Sequence, residues 1–181
     1  MKYPVIAIGL DAADPELLEK WISEGYLPNL ARLRQKGGYA RLNNFDYYRA
    51  ETPWTTFLTG CSPEKTGYWS PVKFYEGTYE VEEVEAYDFL EYQPFYALGK
   101  DHQVAIVDVP QTILTDRAEG VQVLAWGAHS PMTPSHSQPP NLFQELIEKH
   151  GEHPRLRNDH ASCMNIKALN KLKEDLKVGI S

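Results

Sequence analysis

Pro4-Val5-Ile6-Ala7-Ile8-Gly9-Leu10 is a continuous apolar run, and Asp11 closes it. A run of this length, rich in branched residues and bounded by turn formers, predicts a strand buried on both faces. Two later runs have the same character: Val104-Ala105-Ile106-Val107-Asp108-Val109, and Val121-Gln122-Val123-Leu124-Ala125-Trp126. Helical segments lie between them, so the strands are expected to run parallel and to be joined by crossovers. The expected fold is α/β: a doubly wound, mostly parallel sheet with helices on both faces and a small β-hairpin insertion. In such sheets ligands bind at the carboxyl ends of strands. Asp11 stands there, and the next helix does not need it as a cap, because Asp14-Pro15-Glu16 already supplies an N-cap and first turn. Asp11 is therefore a candidate metal ligand.

Working outward, Leu17, Leu18, Trp21 and Ile22 recur at helical spacing, and Gly25 ends that helix. A short helix follows from Pro28 and stops at Gly37-Gly38. Residues 39–43 alternate apolar and polar, which predicts a strand. Residues 72–86 alternate around Glu76-Gly77-Thr78, which predicts a hairpin whose glutamates form a solvated face. Residues 87–100 read as weakly helical, broken at Pro94. Leu142 to His150 is an amphipathic helix, and Ile166 to Leu176 a final one.

The chemistry centres on Glu51-Thr52-Pro53-Trp54-Thr55-Thr56-Phe57-Leu58-Thr59-Gly60. Thr52 before Pro53 reads as an N-cap, and Gly60 ends the helix. Backbone N–H groups and the helix dipole make such a start suited to phosphate or sulfate. A threonine hydroxyl there can act as a nucleophile if a metal lowers its pKa. The same residues also describe a plain capped helix. Inside the helix, Thr55 and Thr56 can satisfy backbone carbonyls with their hydroxyls. His129 and His136 lie in a Pro/Ser-rich loop that could line a pocket, although their spacing matches no metal-binding helix or finger.

The totals exclude several classes. A formal charge of −7 over 181 residues argues against a nucleic-acid polymer as partner. Cys61 and Cys163 form no CxxC pair, so no disulfide framework is expected. No apolar stretch reaches the ~18 residues of a membrane span. The opening residues lack the basic segment and apolar run of a secretory leader, and a cytoplasmic location is expected. Oligomeric state is not readable from the sequence.

An apolar strand ending in aspartate, then about forty residues later a hydroxyl-bearing turn entering a Thr-Phe-Leu-Thr-Gly helix, is more specific than either part. Together with Ser62-Pro63-Glu64-Lys65-Thr66-Gly67, the pairing resembles the N-terminal part of the alkaline phosphatase superfamily. The nearest branch is the type I phosphodiesterase/nucleotide pyrophosphatases. The resemblance covers residues 4 to 70. It implies a hydrolase of small phosphate esters with two divalent metal ions, usually zinc. Asp11 would match a metal-ligating aspartate, and Thr52 the hydroxyl that attacks phosphorus and binds one metal. The nucleophile turn is a residue or two shorter than in relatives, and a gapless match would set Ala50 at that position; chemistry favours Thr52. The family's later aspartate and histidine ligands have no full counterpart here. Asp159-His160 has the right residues but ends no strand. Residues 1–181 are therefore expected to be the N-terminal portion of one such domain in a longer chain, inactive or very weak by themselves. Two other readings fit the residues: a non-catalytic binding or interaction module of the same fold, and a transferase of phosphate-bearing head groups.

Overall fold

The structure is a computed structural model that describes residues 3–11, 13–43, 52–69, 72–83, 91–127, 135–153 and 165–180. The chain divides into two compact units, Met1–Asn43 and Asn44–Ser181.

The first unit holds α1 (Pro15–Ser23) and α2 (Pro28–Lys36), packed on each other. Asp14 caps α1 as the sequence predicts: its Oδ1 accepts the N–H of Leu17 at 2.8 Å, and Pro15 occupies the first turn where no N–H is needed. Gly37 ends α2, its N–H donating to the Leu33 carbonyl. The segment after α2 folds back on α1 through charge. Arg41 straddles Glu19, Nε to Oε1 at 3.1 Å and Nη2 to Oε2 at 2.8 Å, and the Tyr39 hydroxyl donates to the same carboxylate. Arg34 stacks over the Tyr39 ring at 3.9 Å.

Two expected strands of this unit do not form. Residues 3–10 and 39–43 carry no ladder, and Val5 and Ile6 are 93% and 82% exposed. The apolar pattern of residues 4–10 is that of an interior strand, but a strand is stable only beside a partner that takes its backbone donors and acceptors. No such partner pairs with it among the described residues. Leu10, Leu18, Ile22, Leu30 and Leu33 instead line an apolar hollow of about 640 Å3.

The second unit carries the sheets. In chain order its elements are α3 (Thr52–Thr59), α4 (Pro63–Thr66), β1 (Val72–Phe74), β2 (Val81–Glu83), β3 (Gly99–Val107), β4 (Ala118–Leu124), β5 (His136–Gln138), α5 (Leu142–His150) and α6 (Ile166–Ile180). β1 and β2 form the expected antiparallel hairpin, with Phe74 opposite Val81 and Gly77 left-handed in the turn at φ +77°. The other sheet is mixed, in the order β3-β4-β5. β3 and β4 are parallel, pairing Val104 with Gly120 and Val107 with Val123. β5 pairs antiparallel to β4, Leu124 opposite His136.

This is an α/β architecture with a three-stranded sheet. The β3–β4 crossover, residues 108–117, contains no helix. Pro110 and the left-handed residues Asp108 and Gln111 bend it instead. β5 falls in a stretch read as loop, because a three-residue polar edge strand gives no periodic signal. Residues 91–98 form turns where a weak helix was expected, with Pro94 among them. The core joins Leu58 of α3 with Tyr96, Ile106 of β3 and Ala118 of β4. Burying a leucine-sized side chain contributes roughly 1.5–3 kcal/mol. A main-chain bond from Phe95 N–H to the Leu58 carbonyl, 2.8 Å, ties the 91–98 segment to α3, and the Phe57 and Phe95 rings meet edge to face at 5.3 Å.

Candidate functional site

α3 presents a ladder of threonine hydroxyls. Thr52 and Thr55 are 1% and 2% exposed. Thr52 Oγ1 donates to the Trp69 carbonyl at 2.5 Å. Thr55 Oγ1 reaches the Thr52 carbonyl at 3.0 Å and the Tyr68 carbonyl at 3.3 Å. Thr59 Oγ1 donates to the Thr55 carbonyl at 2.8 Å and accepts the Cys61 N–H at 3.2 Å. The local sequence explains the placement. Pro63 opens α4, Gly67 closes it at φ +74°, and that left-handed residue turns Tyr68 and Trp69 back over the start of α3. Thr55 thus back-bonds to the helix as its type predicts, while the covered Thr56 Oγ1 has no partner. Gly60, at φ +65°, ends α3, its N–H donating to the Thr56 carbonyl.

Asp11 belongs to the first unit, at an exposed turn that follows the extended apolar segment. Thr52 belongs to the second. His136 is exposed at the first position of β5. Ala50, Glu51, His129, Asp159 and His160 lie outside the described residues. Zinc takes four donors, of which Asp11 would be one. Among the described residues no group of three or more His, Cys, Asp or Glu side chains is placed to hold a metal.

A second constellation lies at the carboxyl ends of the parallel strands β3 and β4. Asp108 follows β3 directly, left-handed at φ +54°, and its N–H donates to the Val123 carbonyl at 2.9 Å. Its Oδ2 accepts the Gly127 N–H at 2.6 Å. A methyl group at Gly127 would lie 2.5 Å from that oxygen and 3.9 Å from His153 Nε2. Glycine here lets a carboxylate and an imidazole approach one backbone position. Nearby in the chain, Gln111 Oε1 and Trp126 Nε1 are covered and have no hydrogen-bond partner. The reasoning that selected Asp11, an acid ending an apolar strand, applies equally to Asp108. What the sequence hid was the pairing with Gly127, which follows from the parallel register.

With these placements established, the class is clear: the chain belongs to the type I phosphodiesterase / nucleotide pyrophosphatase family, whose model matches residues 5–138. That span runs from the extended apolar segment through β5 and contains both Asp11 and Thr52. The family is one of phosphodiesterase- and pyrophosphatase-type hydrolases. No curated protein and no solved structure matches the chain.

Proposed function

We propose that this chain is the nucleophile-bearing part of a hydrolase acting on small phosphate esters, with Thr52 as the attacking residue. The observation that carries the reading is the family match across residues 5–138, which includes the Thr52-Pro53 helix start and the strand-like segment ending in Asp11. The Thr52 hydroxyl would attack phosphorus, backbone N–H groups at the start of α3 would steady the equatorial oxygens, and water would release the covalent intermediate. Because Thr52 is 1% exposed and donates to the Trp69 carbonyl, the attack requires that bond to open. Asp11 is proposed as one carboxylate ligand of a divalent metal, zinc by family likeness, whose remaining ligands lie beyond the described residues. Such a metal would supply Lewis acidity. The finer fold, a doubly wound sheet completed by chain beyond these residues, belongs to the same proposal.

The test is hydrolysis of bis(p-nitrophenyl) phosphate by the full-length polypeptide, with Thr52→Ala and Thr52→Ser compared at matched thermal stability. Thr52→Ala is expected to lose roughly three orders of magnitude or more, as nucleophile deletions do, and Thr52→Ser to retain measurable turnover. Thr52→Ala activity within a few-fold of the parent removes Thr52 from the role.

One observation favours a second reading, a non-catalytic binding module of the same family. The Thr52 hydroxyl is buried and already engaged as a structural tie. Under that reading the purified full-length protein carries no stoichiometric metal and shows no turnover with either variant. A head-group transferase would show turnover only with an acceptor alcohol present.

A further inference from the structure

We propose that Thr55 is the positioning residue for the Thr52 hydroxyl, holding the start of α3 to the Tyr68-Trp69 segment that grips that hydroxyl. The proposal rests on the reading of Thr52 as the attacking residue, and its test separates the two.

Thr55 reaches the main chain on both sides of the Thr52 tie. Its Oγ1 lies 3.0 Å from the Thr52 carbonyl and 3.3 Å from the Tyr68 carbonyl. One peptide bond joins Tyr68 to Trp69, whose carbonyl accepts the Thr52 Oγ1 at 2.5 Å. The hydrogen bonds therefore close a ring. It runs from the Thr52 hydroxyl to Trp69, back along the main chain to Tyr68, and through the Thr55 hydroxyl to the Thr52 carbonyl. A threonine hydroxyl carries one proton, so Thr55 shares it between the two carbonyls. Both threonines are buried, so water does not take the place of a lost partner. The ring is braced from outside: Thr66 Oγ1 accepts the Tyr68 N–H at 3.2 Å, and Thr59 Oγ1 donates to the Thr55 carbonyl at 2.8 Å.

This is more than a helix asks of a threonine. A helical threonine satisfies its hydroxyl on a carbonyl one turn back. The second contact adds nothing to α3 itself; it holds a segment 13 residues further along the chain against the helix start. Attack by Thr52 requires its bond to Trp69 to open. With the Thr55 bonds intact, the main chains of Thr52 and Tyr68 keep their places and the hydroxyl turns about χ1 alone. Without them the helix start and the 68–69 segment part, and the attacking oxygen has no fixed origin. A misplacement of about 1 Å at a reacting atom costs roughly a hundredfold in rate. Thr55 acts through Thr52, so its loss falls on kcat rather than on KM.

The test compares Thr55→Val and Thr55→Ser in the full-length polypeptide, with bis(p-nitrophenyl) phosphate as substrate. The χ1 rotamer of Thr52 is read in parallel from its methyl-group NMR couplings. Thr55→Val keeps the shape and removes the hydroxyl; Thr55→Ala replaces it if the valine variant does not fold. Its kcat per folded molecule is expected to fall roughly ten- to hundredfold, at a KM within about twofold of the parent, and Thr52 to pass from one rotamer to an average of several. Thr55→Ser restores the donor. It is expected to bring kcat back to within about threefold of the parent, and Thr52 back to one rotamer, even at a lower melting temperature. An unchanged Thr52 rotamer or an unchanged kcat per folded molecule in Thr55→Val overturns the proposal, because a purely structural threonine would lower only the melting temperature. A Thr55→Ser variant that behaves like Thr55→Val overturns it too. The role of Thr52 is read separately from Thr52→Ala. If that variant turns over like the parent, or the parent does not turn over, the hydrolase reading falls and the Thr52 rotamer alone decides the role of Thr55.

Discussion

The side-chain amide of Gln122 grips the backbone of Thr115 from both sides. Nε2 donates to the Thr115 carbonyl at 2.7 Å, and Oε1 accepts the Thr115 N–H at 3.1 Å. Gln122 is 1% exposed, so a β4 side chain stands in for a neighbouring strand and fixes the crossover that leads from β3. Gln122→Met preserves volume but leaves both Thr115 groups without these partners. A loss of about 2–3 kcal/mol is expected, read as a lower urea midpoint at unchanged slope.

Gly120 is the point of closest backbone approach between the parallel strands. A Cβ there would lie 2.2 Å from the Val104 carbonyl oxygen, at φ +123°. Gly120→Ala must either separate β3 from β4 or twist both. Strain of roughly 1–3 kcal/mol or more is expected. Gly77→Ala, left-handed but facing open space, should cost about 1 kcal/mol. Thermal unfolding of the two variants side by side separates the steric cost from the conformational one.

The Arg41 guanidinium, then the Tyr39 hydroxyl, hold the Glu19 carboxyl down at about 2 from its ordinary 4.5. The folded value lies below the unfolded one. The contribution of this pair is therefore present above pH 4.5 and is lost as pH falls from 4.5 towards 2. The groups are partly exposed, so salt should weaken the effect. An NMR titration of Glu19 is expected to show the low value in the parent and a return towards 4.5 in Arg41→Met.

Burial pushes the Tyr96 phenol above its ordinary 10, against a smaller opposing effect of its hydrogen bond with Thr112. Here the folded value exceeds the unfolded one. The contribution is complete below pH 10 and is lost as pH rises through the folded value. Tyr96→Phe is expected to flatten the alkaline limb of the stability profile. The phenolate difference absorbance between parent and variant should show a late-titrating tyrosine.

Local signals were the legible part of this fold. Asp14-Pro15 capped α1, Gly77 turned the hairpin, and the apolar spacing from Leu142 to His150 became α5 to the residue. Each depends on neighbours a few positions away. Non-local pairing was not legible. Residues 4–10 have an interior strand's composition, yet composition cannot supply the strand that must lie alongside. The mixed sheet was half visible: β3 and β4 announced themselves as apolar runs, while His136 to Gln138 carries no such mark. At the site, Thr52 could be chosen from its place before Pro53, but its tie to Trp69 depends on how Gly67 turns the chain. Asp108 could be seen as a strand-end acid, but not its meeting with Gly127, nineteen residues away.

The bare stretch from Tyr3 to Leu10 governs how this polypeptide behaves in a test tube. Its eight residues carry no charge, and Val5, Ile6 and Ile8 are between 78% and 93% exposed, so the β-branched middle of the segment offers a template to any strand that drifts past. Self-association is expected to start from this exposed apolar segment, which carries no ladder among the described residues. A lysine placed at Ile6 as a gatekeeper would keep the molecules apart.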